Sequence, residues 1–406
     1  MMRVPRVTAT KRQRGFLAVL SLPLLSLMLL VTIALAGLVF QLQRSWYLQN
    51  TADNLAYSGA ILMARELNLH ALFNRAILTN QLLLGQLTGL SSYLSMFALA
   101  ATNAALAASW VPYLNAAMRF AAQVLERSEP VAQGLIKIGI TTQTTILNLL
   151  QTTQALLPVL TMQQLPKTLA ELAEQHQLDE SAWEIFHAPG LVKFPWLWWR
   201  VTQRRTPRND DGMLYALQED SRDQFLRART YNWFDAGLIK VKKAGGTELV
   251  ENSIGQWHWQ SLDTLAIHLR VLWWQIELPW AQGARTAGQR VHSVSADKFG
   301  RSARLNPRTT QWARAQQRRL GSASRPSYFA LSEPQNTTHM AIIVRVGTAV
   351  AKASPDFVRA EDLWPRADQR IERSNLFNPL WLAQLQPLNL SDRSVLSRFK
   401  FEWPQL

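Results

Sequence analysis

The sequence predicts an α+β protein carried by a single N-terminal transmembrane helix. A long helical neck follows the span, and then a mixed or antiparallel sheet domain with flanking helices. Three observations point there. Residues 16–40 run 25 positions without a charge behind a basic start. Residues 41–186 are rich in Ala, Leu and Gln at helical spacing. From residue 187 onward the composition shifts to Trp, Val, Ile and Gly, and 13 of the 16 Trp follow Trp183.

The 406 residues are 48% hydrophobic, which suffices for a packed core and excludes wholesale disorder. The absence of Cys removes disulfide scaffolds, thiolate zinc sites, iron–sulfur clusters and Cys nucleophiles. It leaves the compartment open, because an oxidising compartment permits disulfides without requiring them.

Residues 1–15 carry Arg3, Arg6, Lys11, Arg12 and Arg14 and no acid. The apolar run that follows would be roughly 37 Å long as a helix, more than the roughly 30 Å hydrocarbon core. Pro23 falls where lipid tolerates a kink, and Trp46 and Tyr47 suit the far interface. Basic residues before the span orient the N-terminus to the cytoplasm and deliver the rest outside it. The expected location is thus the bacterial inner membrane, with the C-terminal body in the periplasm. Two competing readings concern the start. A cleaved signal peptide would have a shorter apolar core, with its small-residue site at the end. Arg14-Gly15-Phe16 is also similar to a prepilin-peptidase site, although Leu20 stands where such sites carry Glu.

Residues 76–118 contain no charge. Leu83, Leu87, Leu90, Leu94 and Phe97 follow a 4-3 spacing, whereas Gln81, Thr88, Ser95, Thr102 and Ser109 recur every seven residues on another face. A helix packed in a bundle uses such a polar stripe and a lipid-embedded one does not. The four leucines, with Asn50 and Asp53 one turn apart beyond the bilayer, are the candidate contacts for a partner helix. A second span over 82–108 is the alternative. Helical pattern continues over 116–127 and 133–157, with breaks expected at Pro130 and Pro158 and a fresh start near Pro166.

In the second half, strands are expected at 238–243 and 247–252, joined by Ala244-Gly245-Gly246 as a turn, and at 255–272, 339–346 and 380–388. Residues 285–325 hold ten basic residues against Asp297. That segment and the N-terminal cluster account for 14 of the 15 net charges, so the charge is local. Arg301, Arg304, Arg308, Arg314, Arg318 and Arg319 are the candidate patch for an anionic partner: peptidoglycan, phospholipid headgroups or an acidic protein face. A solvated, partly disordered insertion is the competing reading. Nucleic acid is not expected as a partner, since no nucleic-acid-binding motif accompanies the charge.

Catalytic motifs are missing. No phosphate-binding glycine loop, zincin helix or nucleophile elbow is present. The seven His lack metal-seating spacing, and Asp210-Asp211-Gly212 reads as a turn. Trp196, Trp198 and Trp199 read as core aromatics, and Asn336-Thr337-Thr338 matches a glycosylation pattern. No catalytic, cofactor-binding or metal-binding residue is assigned, and no cofactor is expected.

Arg14-Gly15 opening an apolar helix, followed by Leu48-Gln49-Asn50-Thr51-Ala52-Asp53-Asn54-Leu55-Ala56 and the small-residue run Tyr57-Ser58-Gly59-Ala60, resembles the TadE/TadG-like proteins of the tight-adherence (Flp) pilus system. Ala64-Arg65-Glu66-Leu67-Asn68, Asn74-Arg75-Ala76 and Asn80-Gln81 are similar to the sequence that follows in larger members. Asn375-Leu376-Phe377-Asn378-Pro379-Leu380-Trp381-Leu382-Ala383-Gln384-Leu385 resembles a closing motif of the same group. The resemblance covers residues 10–85 and 373–388 and is thin between. It implies a non-enzymatic, single-pass inner-membrane component of pilus assembly whose partners are membrane lipid and other pilus-assembly membrane proteins. No adhesion-type metal motif is visible. Two other classes stay open: a single-pass envelope receptor or sensor, and a membrane-anchored envelope hydrolase using a carboxylate pair such as Asp220 with Asp223.

Overall fold

A computed structural model describes residues 16–187, 201–210, 212–251, 255–271, 273–288, 304–332, 340–359, 365 and 367–398. The basic cluster of residues 1–15, the Arg14-Gly15 site, Trp196, Trp198, Trp199, Asp211, Arg290, Lys298, Arg301 and Asn336-Thr337-Thr338 lie outside the described residues. The protein is α+β: one long apolar helix near the N-terminus precedes a C-terminal sheet domain with a few helices.

Helix α1 spans Phe16–Ala107, 92 residues. Its lipid-suited start, from Val19 to Phe40, has exposed side chains throughout, apart from Leu20, which lies outside the described side chains. From Thr51 onward one face of the same helix turns into protein core. The chain reverses over residues 108–111, and helix α2, Pro112–Gln175, opens on a proline at its first position, where no backbone donor is needed. The expected breaks at Pro130 and Pro158 and the start at Pro166 are absent, because α2 runs unbroken for 64 residues. Each proline removes one backbone donor, and packing along α1 keeps the helix continuous. The α2 C-terminus closes as a Schellman turn. Leu178 N–H donates to Ala173 O, and Gln177 N–H, at φ 56°, donates to Glu174 O. Tyr47 Oη donates to His176 O at 2.7 Å, so the end of α2 returns to the level just past the apolar run of α1.

The sheets wrap this hairpin. One has the order β1 (Trp183–His187), β9 (Ile342–Val346), β10 (Ala349–Phe357), β11 (Trp381–Gln386), all antiparallel. Gly347, at φ 57°, opens the two-residue turn between β9 and β10. The other has the order β3 (Tyr231–Asp235), β4 (Ile239–Glu251), β5 (Trp257–Val271), β6 (Trp274–Ala287), β7 (Arg318–Gly321), with only β6 and β7 parallel. A short pair, β2 (Thr202–Arg205) and β8 (Tyr328–Leu331), completes the strands, with helices α3 (Met213–Asp220), α4 (Gln224–Arg227), α5 (Pro307–Ala315) and α6 (Leu390–Arg398) around them. The expected turn at Ala244-Gly245-Gly246 is instead mid-strand in β4. A Cβ on Gly245 would meet Asp263 and Leu262 O, and one on Gly246 would approach Arg227 O. These glycines serve close backbone approach, not reversal.

Two cores result. Next to the apolar run, Ala52, Leu55, Ala60, Met63 and Leu67 of α1 meet Leu165 and Leu169 of α2 and the inner residues Ile342, Val344, Ala353 and Trp381. Farther out, Ile77 and Leu84 meet Ile136, Ile140 and Leu147 of α2 and Leu249, Trp257 and Trp259 of the five-stranded sheet. Of the helical neck expected over 41–186, the helices end at Gln175 and Trp183–His187 is strand β1; the helical part is not a stalk beneath the sheet domain but its spine. Residues 82–108 pack on β4, β5 and β6.

The seven-residue polar stripe is buried only in part: Gln81 and Thr88 are fully buried, Ser95 and Thr102 half-buried and Ser109 exposed. Ser92, off the stripe, is also buried, and its Oγ donates to Gly283 O at 2.9 Å. A Cβ on Gly85 would come within 2.8 Å of the Trp259 ring. Small and short polar residues let this stretch of the helix lie almost on the sheet backbone.

Candidate functional site

Sequence-singled residues fall in different places. Asn50 is exposed. Asp53 is half-buried and accepts from Gln49 Nε2 at 2.9 Å, while the same Gln49 nitrogen reaches Val350 O. Leu83, Leu87 and Leu94 are half-buried and Leu90 exposed. Leu87 and Leu94 pack against the outer core, and Leu87 also faces Gly139 of α2. The partner helix that Leu87 meets is thus the chain's own.

The two stretches that carry the family resemblance are bonded to each other. Asn68 Nδ2 donates to Trp381 O at 2.8 Å, and Trp381 N–H returns to Asn68 Oδ1 at 3.0 Å. The buried Asn74 donates from Nδ2 to Phe329 O and Leu376 O, at 2.7 and 2.6 Å. Its Oδ1 accepts from Gln154 Nε2 and Phe329 N–H. Asn375 shapes the closing loop by accepting from the backbones of Phe377 and Asn378. One helix turn away, the fully buried His70 stacks on Phe329 and lies 3.5 Å from Glu66. A side-chain amide that satisfies strand backbone from both sides fixes register without burying an orphaned polar group.

The strongest electrostatic feature is a buried cluster between β4, β5 and the start of β3. Arg229 forks onto Asp263, with Nε to Oδ1 at 2.9 Å and Nη2 to Oδ2 at 2.8 Å. Lys243 Nζ reaches Asp263 Oδ1 at 2.5 Å and Arg229 O at 2.8 Å. Ser261, Thr247 and Phe225 O take the remaining guanidinium donors. Burial pushes the Asp263 carboxyl up, yet Arg229 and Lys243 outweigh it and hold it below the ordinary carboxylate value. Burial lowers Lys243, against the pull of Asp263. Tyr93 of α1 lies beneath the ammonium group and bonds Tyr231 Oη; burial and that bond push its hydroxyl up to about 12. Two cations facing one carboxylate leave no free base for proton transfer; the cluster ties the segment before β3 to β4 and β5, with Tyr93 of α1 packed beneath it.

The basic segment is dispersed. Arg285 is buried and joins Glu129, Ser95 and Ala284 O, and burial lowers its guanidinium. Arg325 pairs with Asp210 at 2.5 Å and Glu251 at 2.7 Å. Arg304, Arg308, Arg318 and Arg319 are exposed and Arg314 is half-buried. Residues 307–321 are not a loose insertion, since α5 is capped by Glu277 against the Arg308 and Thr309 backbones, and β7 pairs with β6.

A cationic cleft that the sequence reading missed sits at the free end of the five-stranded sheet. Its cavity of about 590 Å³ is lined by Lys240, Lys242, His268 and Arg270, with Trp273 and Trp274 at its rim. Trp273 and Trp274 are 92% and 73% exposed. The signal was present as alternate Lys on β4, with Lys240 opposite His268, Arg270 two residues further along β5, and a Trp pair at the β5–β6 turn. Of the proposed carboxylate pair, Asp223 caps α4 by accepting from Leu226 N–H at 2.8 Å, and it also accepts from Gln86. Among the described residues no cluster of three or more His, Asp or Glu is placed to hold a metal.

No family model matches the chain, and no curated protein or solved structure matches it.

Proposed function

We propose that the chain is a membrane-anchored, non-enzymatic scaffold of the bacterial envelope, acting in assembly of a tight-adherence pilus. Its N-terminus lies in the cytoplasm and its folded body in the periplasm. One observation carries the reading: a helix apolar and unpartnered enough for lipid continues without a joint into the core of the folded body. Such a chain holds a surface at a fixed position and distance from the bilayer. The mutual bonding of Asn68 and Asn74 with the closing stretch supports treating the resembling segments as one unit. The polar networks described above bind and position, and none presents a nucleophile beside a free base.

Reporter fusions after residue 190 should be active outside the cytoplasm, and deletion of the gene should abolish surface pili and adherence. Normal piliation in the deletion strain would end the pilus reading, and cytoplasmic reporter activity would end the topology. The cleft of Lys240, Lys242 and Arg270 favours a second reading, an envelope receptor for an anionic ligand. Retention of the detergent-solubilised chain on purified peptidoglycan, lost in a Lys242→Glu/Arg270→Glu variant, would favour it.

A further inference from the structure

Helix α2 carries a second seam that no described element of its own fold covers. Its inner face, with Ile136, Ile140, Leu147, Gln154 and Leu165, is buried. On the opposite side Val124, Ser128, Val131, Leu135, Ile138, Thr142, Thr145, Leu149, Thr152, Leu156 and Val159 follow an unbroken 4-3 spacing, and every one is exposed. This is the a/d pattern of a coiled coil, sustained for five heptads. No seam position is charged, and residues 138–166 contain no charged residue at all. Gly134 borders the seam and meets nothing within 4 Å. A mid-helix glycine costs about 1 kcal/mol against Ala, and among the described residues nothing uses the space it leaves.

We propose that this face is a homodimer interface in which α2 of a second copy packs in parallel and in register. Three features select a second copy. The aliphatic side chains of the seam together with Leu160 leave on the order of 800 Å² exposed per copy, which is the ~800 Å² each partner contributes to a standard interface. In register, identical layers meet as Leu on Leu, Val on Val and Thr on Thr, with no charge to repel its twin. Anchoring in one membrane also gives all copies the same direction, which makes the pair parallel. That last point rests on the anchored reading above, and the area and spacing do not.

The natural absence of Cys makes the test direct. Single cysteines are placed in the full-length chain in detergent at seam positions (Ile138→Cys, Leu149→Cys, Leu156→Cys) and at exposed positions off the seam (Glu126→Cys, Lys137→Cys). Oxidation should give a dimer from each of the three seam variants and none from the other two. No dimer at the seam, or equal yields at all five positions, overturns the proposal. In parallel, Leu149→Glu/Leu156→Glu should reduce the detergent-corrected mass from two chains to one with helicity unchanged, since both side chains are exposed in the single copy. A wild-type mass of one chain overturns the proposal, as does excess mass contributed by a different protein. Seam crosslinking by a chain that fails to insert in membranes would refute the anchor alone.

Discussion

Replacing Asp263 with Ala tests how much the buried charge cluster contributes to the stability of the folded body. The substitution removes three charge-assisted hydrogen bonds, two from Arg229 and one from Lys243. It leaves two cations whose side chains are 4% and 0% exposed. Breaking a buried pair in this way costs about 3–5 kcal/mol. Lys243 can shed its proton, being lowered already by burial, but Arg229 cannot, so the cost does not vanish. Against a total stability of about 5–15 kcal/mol, the variant should lose a fifth or more. The assay is thermal or urea unfolding of the detergent-solubilised chain, followed by fluorescence of the buried Trp257 and Trp259. Replacing all three partners with apolar residues of similar volume should restore stability to near wild type, within a few kcal/mol on either side. The pH dependence follows from the same geometry. Asp263 is held below its unfolded value, so its contribution is present above about pH 4 and is lost as pH falls through the folded value. An Asp263→Ala variant within about 0.5 kcal/mol of wild type would refute the reasoning, because surface substitutions alone cost that much.

Three further outcomes are expected. Gly283→Ala places a Cβ against the Ser92 backbone, which cannot swing away, so unfolding should come about 1–3 kcal/mol earlier; an unchanged melting curve would show that α1 does not lie on β6. His258 is lowered by burial and by Arg319, so the unfolded chain binds more protons below about pH 6.5; stability should fall on acidification through that range, and His258→Gln should flatten the slope seen in pH-dependent melting. Leu30→Arg at the centre of the apolar run should raise the insertion cost by about 2.5–3.5 kcal/mol, and carbonate extraction should find more of the variant in the soluble fraction.

Much of the fold class was legible, and the reasons are local. The charge-free run of 16–40, the alternation around Trp257 and Trp259, and the β-branched run His339 to Val346 each carry their own periodicity. What was illegible depended on partners distant in sequence. Gln81 read as part of a polar face because its partner Trp259 on β5 lies 178 residues away. Gly245-Gly246 read as a turn for the same reason, since only Asp263 and Arg227 across the strand reveal why a side chain is excluded. The prolines of α2 read as breaks because propensity was weighed without the helix alongside. At the level of sites, Arg285 and Arg325 counted toward a basic patch until their acids, Glu129 and Asp210, appeared beside them. Asn68 and Asn74 were visible as motif residues, but their role as backbone clamps was not.

In the proposed anchoring, the jointless passage of α1 from its apolar start into the folded body has a mechanical meaning. Residues 41–107 would extend roughly 100 Å beyond the bilayer at 1.5 Å per residue. Transmembrane helices commonly lean by about 20°, and a rod of that length leaning by only 10° sweeps its outer end through roughly 17 Å. Without a swivel at the water boundary, the angle the helix adopts among its lipid neighbours becomes the position of the far end. Membrane thickness would then act as a steering input, felt tens of ångströms from the lipid itself.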